Sequence, residues 1–419
     1  MSRAAKREQR DWPVSNEKKQ APEIASGPLN MPEWDAMLAN IAPIGRQLIN
    51  RWGREAPSAD ERRELFLLAL SGVASGYISH LALDPRRPTW TPSWNISMNM
   101  AGPCPDYTYR TTDIDPKGTY RISGWRGRNR FAEIAQQSYE LLGHEGSTSV
   151  PPTLHDLDSL NIGADGAFSV MLSPERPWRY EGDWWLLMPR TKRLLMRQCS
   201  VDWINDVDAR LAIERLDDAP DTPTTETDRR IGNLGPWAEG MVRFDIDLAR
   251  WYRDHHGINV LTRSKKIESI GGMPNQVYYD GAYEIEDDEA LIIETDLQKT
   301  CLYWSMLVAD DRFATVDWAN HQSSLNEAQA RLDSDGKLRA VISRHDPGVQ
   351  NWLDKAHNKW GIIQLRWKLP SDAPDPVVTK VKVADVRKHL PADTAAYSAT
   401  EREEAIRKRR VGYQLRVHW

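Results

Sequence analysis

From about residue 90 onward the chain is cut into short apolar or alternating runs separated by turn residues, and a chain patterned this way buries its apolar faces by pairing strands into sheets. Tyr107 and Tyr109 alternate before Asp115-Pro116-Lys117-Gly118, and Tyr120 and Ile122 alternate after it, which predicts a hairpin. A second hairpin is expected around Asp165-Gly166, with Phe168, Val170 and Leu172 on one face. Further strands are predicted at 184–188, 193–198, 276–285, 289–295, 301–308, 338–343 and 361–369. Helices are predicted at 201–215, 244–256, 325–331 and 399–411, and no internal repeat is evident.

The N-terminal part is patterned differently. Trp34, Met37, Leu38, Ile41, Leu48, Ile49 and Trp52 keep a helical spacing that Pro43 interrupts, and Ser58 with Glu61 forms a capping-box signature before Leu65, Phe66, Ala69 and Leu70. Gly72 and Gly76 in this second helix allow another backbone to come close. The expected class is α+β, predominantly β: β-sandwich-like layers with an N-terminal helical element and a C-terminal helix. The expected divisions are a polar tail at 1–30, a helical element at 31–88, β-rich domains at 89–235 and 236–375, and an extension with a helix at 376–419.

Composition excludes several classes. A net charge of −5 argues against a nucleic-acid partner, and the Arg407–Arg410 run reads as a solvated helix face. No run approaches the roughly 20 apolar residues of a membrane span, and residues 1–30 lack the apolar core of a signal peptide, so a cytoplasmic location without membrane contact is expected. Cys104, Cys199 and Cys301 are far apart, which points to free thiols. Dinucleotide, Walker, nucleophile-elbow and zincin motifs are absent.

The polar residues gather with the tryptophans, of which there are 18 against 5 phenylalanines. Tyr303-Trp304-Ser305 is followed by Gln322-Ser323-Ser324-Leu325-Asn326, Asp335-Gly336, Asp346-Pro347-Gly348 with Asn351-Trp352-Leu353, and Arg366-Trp367. This series resembles the family named domain of unknown function 1214. The likeness extends over roughly residues 30–415, with Leu172–Pro177, Leu194–Gln198 and Asp202-Trp203 similar to its longer members. Cys199 departs from the pattern where an aromatic residue is usual, and Cys104-Pro105-Asp106 departs beside the proline. The resemblance implies β-sandwich-like domains and a cytoplasmic or exported accessory protein, with no settled activity.

Read as chemistry, His321 can titrate near neutral pH, with Asp317 or Asp346 to orient it, and His345 lies between Arg344 and Asp346. Gln322, Ser323, Asn326 and Arg344 supply directional hydrogen bonds, while Trp318, Trp352 and Trp360 could wall a ring-shaped ligand. The same Asn, Ser and Asp residues also cap helices and close turns. Arg197 with Asp202, and Arg366 on an alternating strand, read either as buried ion pairs or as an anion-binding wall. No cofactor is expected; a divalent metal on His321, His345 and Asp346 requires that they converge.

Three functions are compatible with these residues. One is an enzyme acting on a hydrophobic ring-containing small molecule as lyase, isomerase or hydrolase, with His321 or His345 as acid/base, in a Trp-lined pocket. Another is a noncatalytic carbohydrate or lipid-like ligand binder with an open Trp platform. The third is an accessory interaction subunit, with the N-terminal helices available for oligomer formation.

Overall fold

A computed structural model describes residues 32–53, 57–138, 153–219, 224–264, 272–297, 300–416 and 418; the expected tail at 1–30 lies outside them. Among the described residues the alternating runs form strands in two successive sets of nine. The first set is β1 (Thr91–Pro92), β2 (Tyr107–Asp113), β3 (Tyr120–Trp125), β4 (Phe131–Gln137), β5 (Thr153–Asp156), β6 (Ala167–Ser173), β7 (Asp183–Leu186), β8 (Arg193–Cys199) and β9 (Arg210–Arg215). The second set is β10 (Thr262–Ser264), β11 (Gln276–Glu284), β12 (Glu289–Asp296), β13 (Tyr303–Asp310), β14 (Ser324–Asn326), β15 (Lys337–Ser343), β16 (Trp352–Asp354), β17 (Trp360–Lys368) and β18 (Val377–Lys382).

Both sets fold to one topology. The first makes sheets β1-β2-β8-β4-β5 and β7-β6-β3-β9; the second makes β10-β11-β17-β13-β14 and β16-β15-β12-β18, the same orders with every strand number advanced by nine. The single parallel pairing recurs too, β6 with β7 and β15 with β16. Local devices repeat with it: the Trp184 indole N–H donates to Ser173 Oγ at 2.9 Å, and the Trp352 indole N–H to Ser343 Oγ at 3.0 Å. The chain is therefore an internal repeat, contrary to the sequence expectation. Few side chains are shared between the two sets, so the duplication shows in pairing order and not in residue identity.

Each repeat is a sandwich, because alternate residues of its two sheets meet in one core. Ile122, Val170, Leu172, Ile134 and Met196 do this in the first, and Leu291, Ile342, Met306, Leu365 and Trp367 in the second. The predicted class holds. Two hairpins do not form: β2 and β3 enter different sheets, and Asp165-Gly166 closes a turn before β6 whose preceding strand, β5, pairs with β4. The helix expected at 201–215 is a turn followed by β9, and that at 325–331 is the end of β14 and a turn. Asp202 and Asn326 each accept backbone N–H bonds from residues two and three ahead, a local pairing that competes with helix formation.

The helices sit against the second repeat. α1 (Pro32–Ile41) and α2 (Ile44–Trp52) are separated at Pro43, and α3 (Ala59–Gly76) begins on the capping box of Ser58 and Glu61. α4 (Thr224–Gly232) and α5 (Leu234–His256) lie between the repeats in the chain. Gly72 brings α3 so close to α5 that a Cβ would stand 2.9 Å from Val242. The opposite face of α5 packs Leu248 and Tyr252 on Tyr278, Leu307 and Ile362 of the second five-stranded sheet. This ties the helical layer to the strands that carry the cleft described below.

α6 (Ala399–Leu415) follows the second sandwich. Its buried face contains arginines, Arg402 and Arg409, and Arg416 just past its end keeps the spacing of seven; each is 7% exposed. Arg402 stacks on Trp352 and pairs with Asp346, Arg409 stacks on Trp203 and donates to the Trp318 carbonyl at 3.0 Å, and Arg416 donates to the Asp106 carbonyl at 2.7 Å. Only part of the basic run at 407–410 is a solvated face, since Arg409 is interior.

Candidate functional site

The turn at Asp317–His321 is closed by Asp317, whose carboxylate accepts the N–H groups of Ala319 and Asn320, both at 3.1 Å. This turn presents His321 half-buried at the side of β16. There Asp354 is held by a backbone bond from its N–H to the Gln322 carbonyl, 2.9 Å, and its Oδ1 accepts the Ala356 N–H at 2.7 Å. The remaining oxygen, Oδ2, lies 2.7 Å from His321 Nδ1. A carboxylate only accepts, so Nδ1 carries the hydrogen and Nε2 is the lone-pair nitrogen of the neutral ring. Nε2 has no hydrogen-bond partner among the described residues. The hydrogen bond to Asp354 holds the imidazole above the ordinary histidine range, against the opposing effect of partial burial.

His321 and Asp354 line a cleft of about 690 Å³ between α3 and the second repeat. Its other walls include Asp317, Arg344, Arg312, Glu64 and Leu67. Arg312 is pinned by Asp310 at 2.6 Å and Glu64 at 2.9 Å, and His357 reaches Glu64 at 3.2 Å, so α3 closes one side of the cleft through ion pairs. Arg344 lies at the rim, paired with Asp287. The cleft thus holds a hydrogen-bonded His–Asp pair and, at its rim, the Arg344 cation.

Residues 286–371, which contain both members of this pair, match the profile of the family described as Protein of unknown function (DUF1214). The match falls within the second repeat. A solved structure of an uncharacterized protein from Burkholderia cenocepacia is similar over 84% of this chain and 97% of that one, at 24% identity and a TM-score of 0.76. That likeness shows a shared fold reaching well beyond the DUF1214 segment. A protein from Vibrio parahaemolyticus is 8% identical over 76% of this chain and 98% of that one, with a TM-score of 0.43. No curated protein matches the chain.

Within the matched segment, the other residues singled out in the sequence are dispersed. His345 is exposed, and Asp346 is engaged by Arg402; neither lines the cleft. Among the described residues no group of three His, Cys, Asp or Glu side chains is arranged to hold a metal, so His321, His345 and Asp346 do not converge. Gln322, Ser323 and Asn326 are buried in structural bonds: Gln322 bridges to the Trp352 carbonyl at 2.6 Å, Ser323 donates to the Val316 carbonyl at 2.7 Å, and Asn326 donates to Asp106 at 2.8 Å. Trp318 packs edge-on to Tyr413, Trp352 supports Arg402, and Trp360 lies under Arg253, so none of the three walls the cleft.

Two residues were not legible as site residues. Asp354 stands at the end of the Asn351-Trp352-Leu353 motif, while His321 was expected to be oriented by Asp317 or Asp346. Glu64 lies 293 residues from its partner His357, a separation for which the sequence offers no signal. Asp106, in the stretch that departs from the family pattern, is fully buried and accepts from Trp203, Tyr303 and Asn326, thereby joining both repeats.

Proposed function

We propose that the cleft at the matched DUF1214 segment binds a polar small molecule and acts on it by proton transfer, with His321 as the acid/base and Asp354 as the residue that orients it. The observation that carries this reading is the 2.7 Å contact of His321 Nδ1 with Asp354, in a ring whose Nε2 is uncommitted beside a cleft of about 690 Å³. In such a pair Nε2 takes a proton from a hydroxyl or from carbon beside a carbonyl, Asp354 stabilises the imidazolium, and the proton returns to the product or leaving group. Lyase, isomerase and hydrolase chemistries all use this step. Arg344 would face negative charge developing at the rim. The walls are mixed, ionic and aliphatic, and favour a polar substrate over a stacked ring. We place the protein in the cytoplasm; among the described residues no helix is long and apolar enough to cross a membrane.

The test is conversion of a panel of hydroxy and keto acids, followed by mass spectrometry, with His321→Ala and Asp354→Asn as variants. Both side chains are partly exposed, so each variant is expected to keep its melting temperature within a few degrees and to lose turnover by about 10²–10⁴-fold. Retained turnover in His321→Ala would overturn the assignment. Retained binding with no turnover in the wild type would instead favour the noncatalytic ligand binder.

A second reading has its own support. Phe66, Leu67, Leu70 and Tyr77 on or just after α3 are 46%, 58%, 63% and 59% exposed, an apolar surface that suits an accessory or self-association role. Sedimentation of the wild type against Leu70→Glu separates the two, because a shared helix interface would dissociate in the variant.

A further inference from the structure

The two repeats meet through the outer faces of their five-stranded sheets, and equivalent positions touch there. Tyr107 donates to Gln276 at 2.8 Å across a separation of 169 residues, and Phe131 packs on Tyr303 with ring centroids 6.0 Å apart. These are matched positions: β2 and β8 pair Tyr109 with Arg197, and β11 and β17 pair Tyr278 with Arg366. Contact between equivalents is what a local twofold relation requires near its axis. Beside it lies a cavity of about 90 Å³ lined by both pairs, Tyr109 with Arg197 and Tyr278 with Arg366.

Among the described residues that line it, the cavity holds two arginines and no carboxylate. Arg366 is 6% exposed and makes no ion pair within 4.0 Å among the described residues. Its Nη2 donates to the Gly102 carbonyl at 2.8 Å and its Nε to Gln364 at 2.6 Å, but Nη1 has no hydrogen-bond partner among the described residues. Asp280 is near enough to act on Arg366 electrostatically but does not touch it, and Gln364, which donates to Asp280 at 2.7 Å, bridges the two. A buried guanidinium that lacks a direct counter-charge carries a large desolvation cost.

The tyrosines add directed donors. Tyr109 OH accepts the Cys104 N–H at 2.9 Å, and Tyr278 OH accepts the Met273 N–H at 3.2 Å, so each phenol has its own proton left to donate. Phe244, Leu248 and Phe313 close the remaining wall with apolar surface. Gly102 is held there at φ 56°, where a Cβ would stand 2.6 Å from the Phe313 ring.

We propose that this cavity between the repeats binds a short-chain aliphatic carboxylate, its oxygens shared by Arg366 and Arg197 and by the phenols of Tyr278 and Tyr109, its alkyl end against Phe244, Leu248 and Phe313. The volume accommodates a short acid; a cavity that holds benzene measures about 150 Å³. An orthophosphate dianion would present oxygens to the apolar wall, where nothing can donate to them.

Calorimetric and thermal-shift titrations of the full chain with propionate, butyrate and orthophosphate, at constant ionic strength and neutral pH, test the proposal. A saturable rise in melting temperature is expected with the carboxylates and none with orthophosphate. Tyr278→Phe keeps the ring and removes the proton, and is expected to weaken binding about tenfold; Arg366→Met is expected to abolish it. If Arg366→Met fails to fold, Tyr278→Phe and Tyr109→Phe decide. No saturable response to either carboxylate, tighter binding of orthophosphate, or unchanged affinity in the tyrosine variants would overturn the assignment. Loss of carboxylate binding in His321→Ala would do so too, by moving the ligand to the cleft.

Discussion

At the scale of single residues, two histidines are driven in opposite directions by their surroundings. The Asp354 hydrogen bond raises His321, so its contribution to stability is complete below the unfolded value near 6.5 and is lost as pH rises through the folded value. The ring is expected to titrate above the usual histidine range in the wild type and within it in Asp354→Asn, which NMR of the ring carbons would read directly. Burial lowers His155 to about 4, where it stacks on Trp185 with 4.4 Å between ring centroids and meets Gln136 at 2.7 Å. Between about pH 6.5 and 4 the unfolded chain takes up a proton that the folded ring refuses, so stability falls as pH falls through that window. His155→Phe retains the stack and should flatten this part of the melting-temperature profile; an unchanged slope would show that other groups set it. The identity of His321 as a titrating residue was legible in the sequence. Its partner was not, because Asp317 serves the local turn and Asp346 serves α6, leaving Asp354 as the carboxylate that folding brings to the ring.

At the scale of elements, strands were read well and their pairing badly. β8, β11, β12, β15 and β17 lie close to the predicted runs, since alternation within one strand reports burial on its two faces. Pairing is decided by residues far away: β2 finds β8, not β3, across 80 or more positions. α6 shows the same division. Its extent follows from the capping box of Ser398 and Glu401, but its buried arginine face resembles a solvated one in sequence. Arg409→Met should lower stability by about 2–4 kcal/mol, because it removes the cation from Trp203 and strands the Trp318 and Ser324 oxygens. Arg407→Met, on the exposed side and paired only with Glu404 one turn away, should leave the melting temperature unchanged. Part of the tryptophan excess belongs to this scale: Trp203 and Trp352 are platforms for arginines.

At the scale of the whole molecule, the two repeats are joined by polar groups that neither could bury alone. Lys368 of the second is fully buried and bonds both oxygens of Glu133 in the first, at 2.7 and 2.6 Å, over the Phe131 ring. Breaking one side leaves an uncompensated buried charge, so Glu133→Gln and Lys368→Met should each cost about 3–5 kcal/mol, and the double variant less than their sum. Chemical denaturation of the three variants measures this, and strict additivity would show that the pair does not act as a unit.

The amino-acid sequence by itself determined the class of the fold, the extent of the longer strands and of the capped helices α3 and α6, the DUF1214 resemblance and the neighbourhood of His321. Each of these is written in short-range periodicity, capping or local motifs. The tertiary structure alone decided that the nine-strand unit occurs twice, that Asp354 orients His321, that Gln322, Ser323 and Asn326 hold the scaffold, and that Arg197 and Arg366 face one cavity. These depend on contacts between residues tens to hundreds of positions apart, where the free energy belongs to the assembled pair and leaves no periodic trace in either segment.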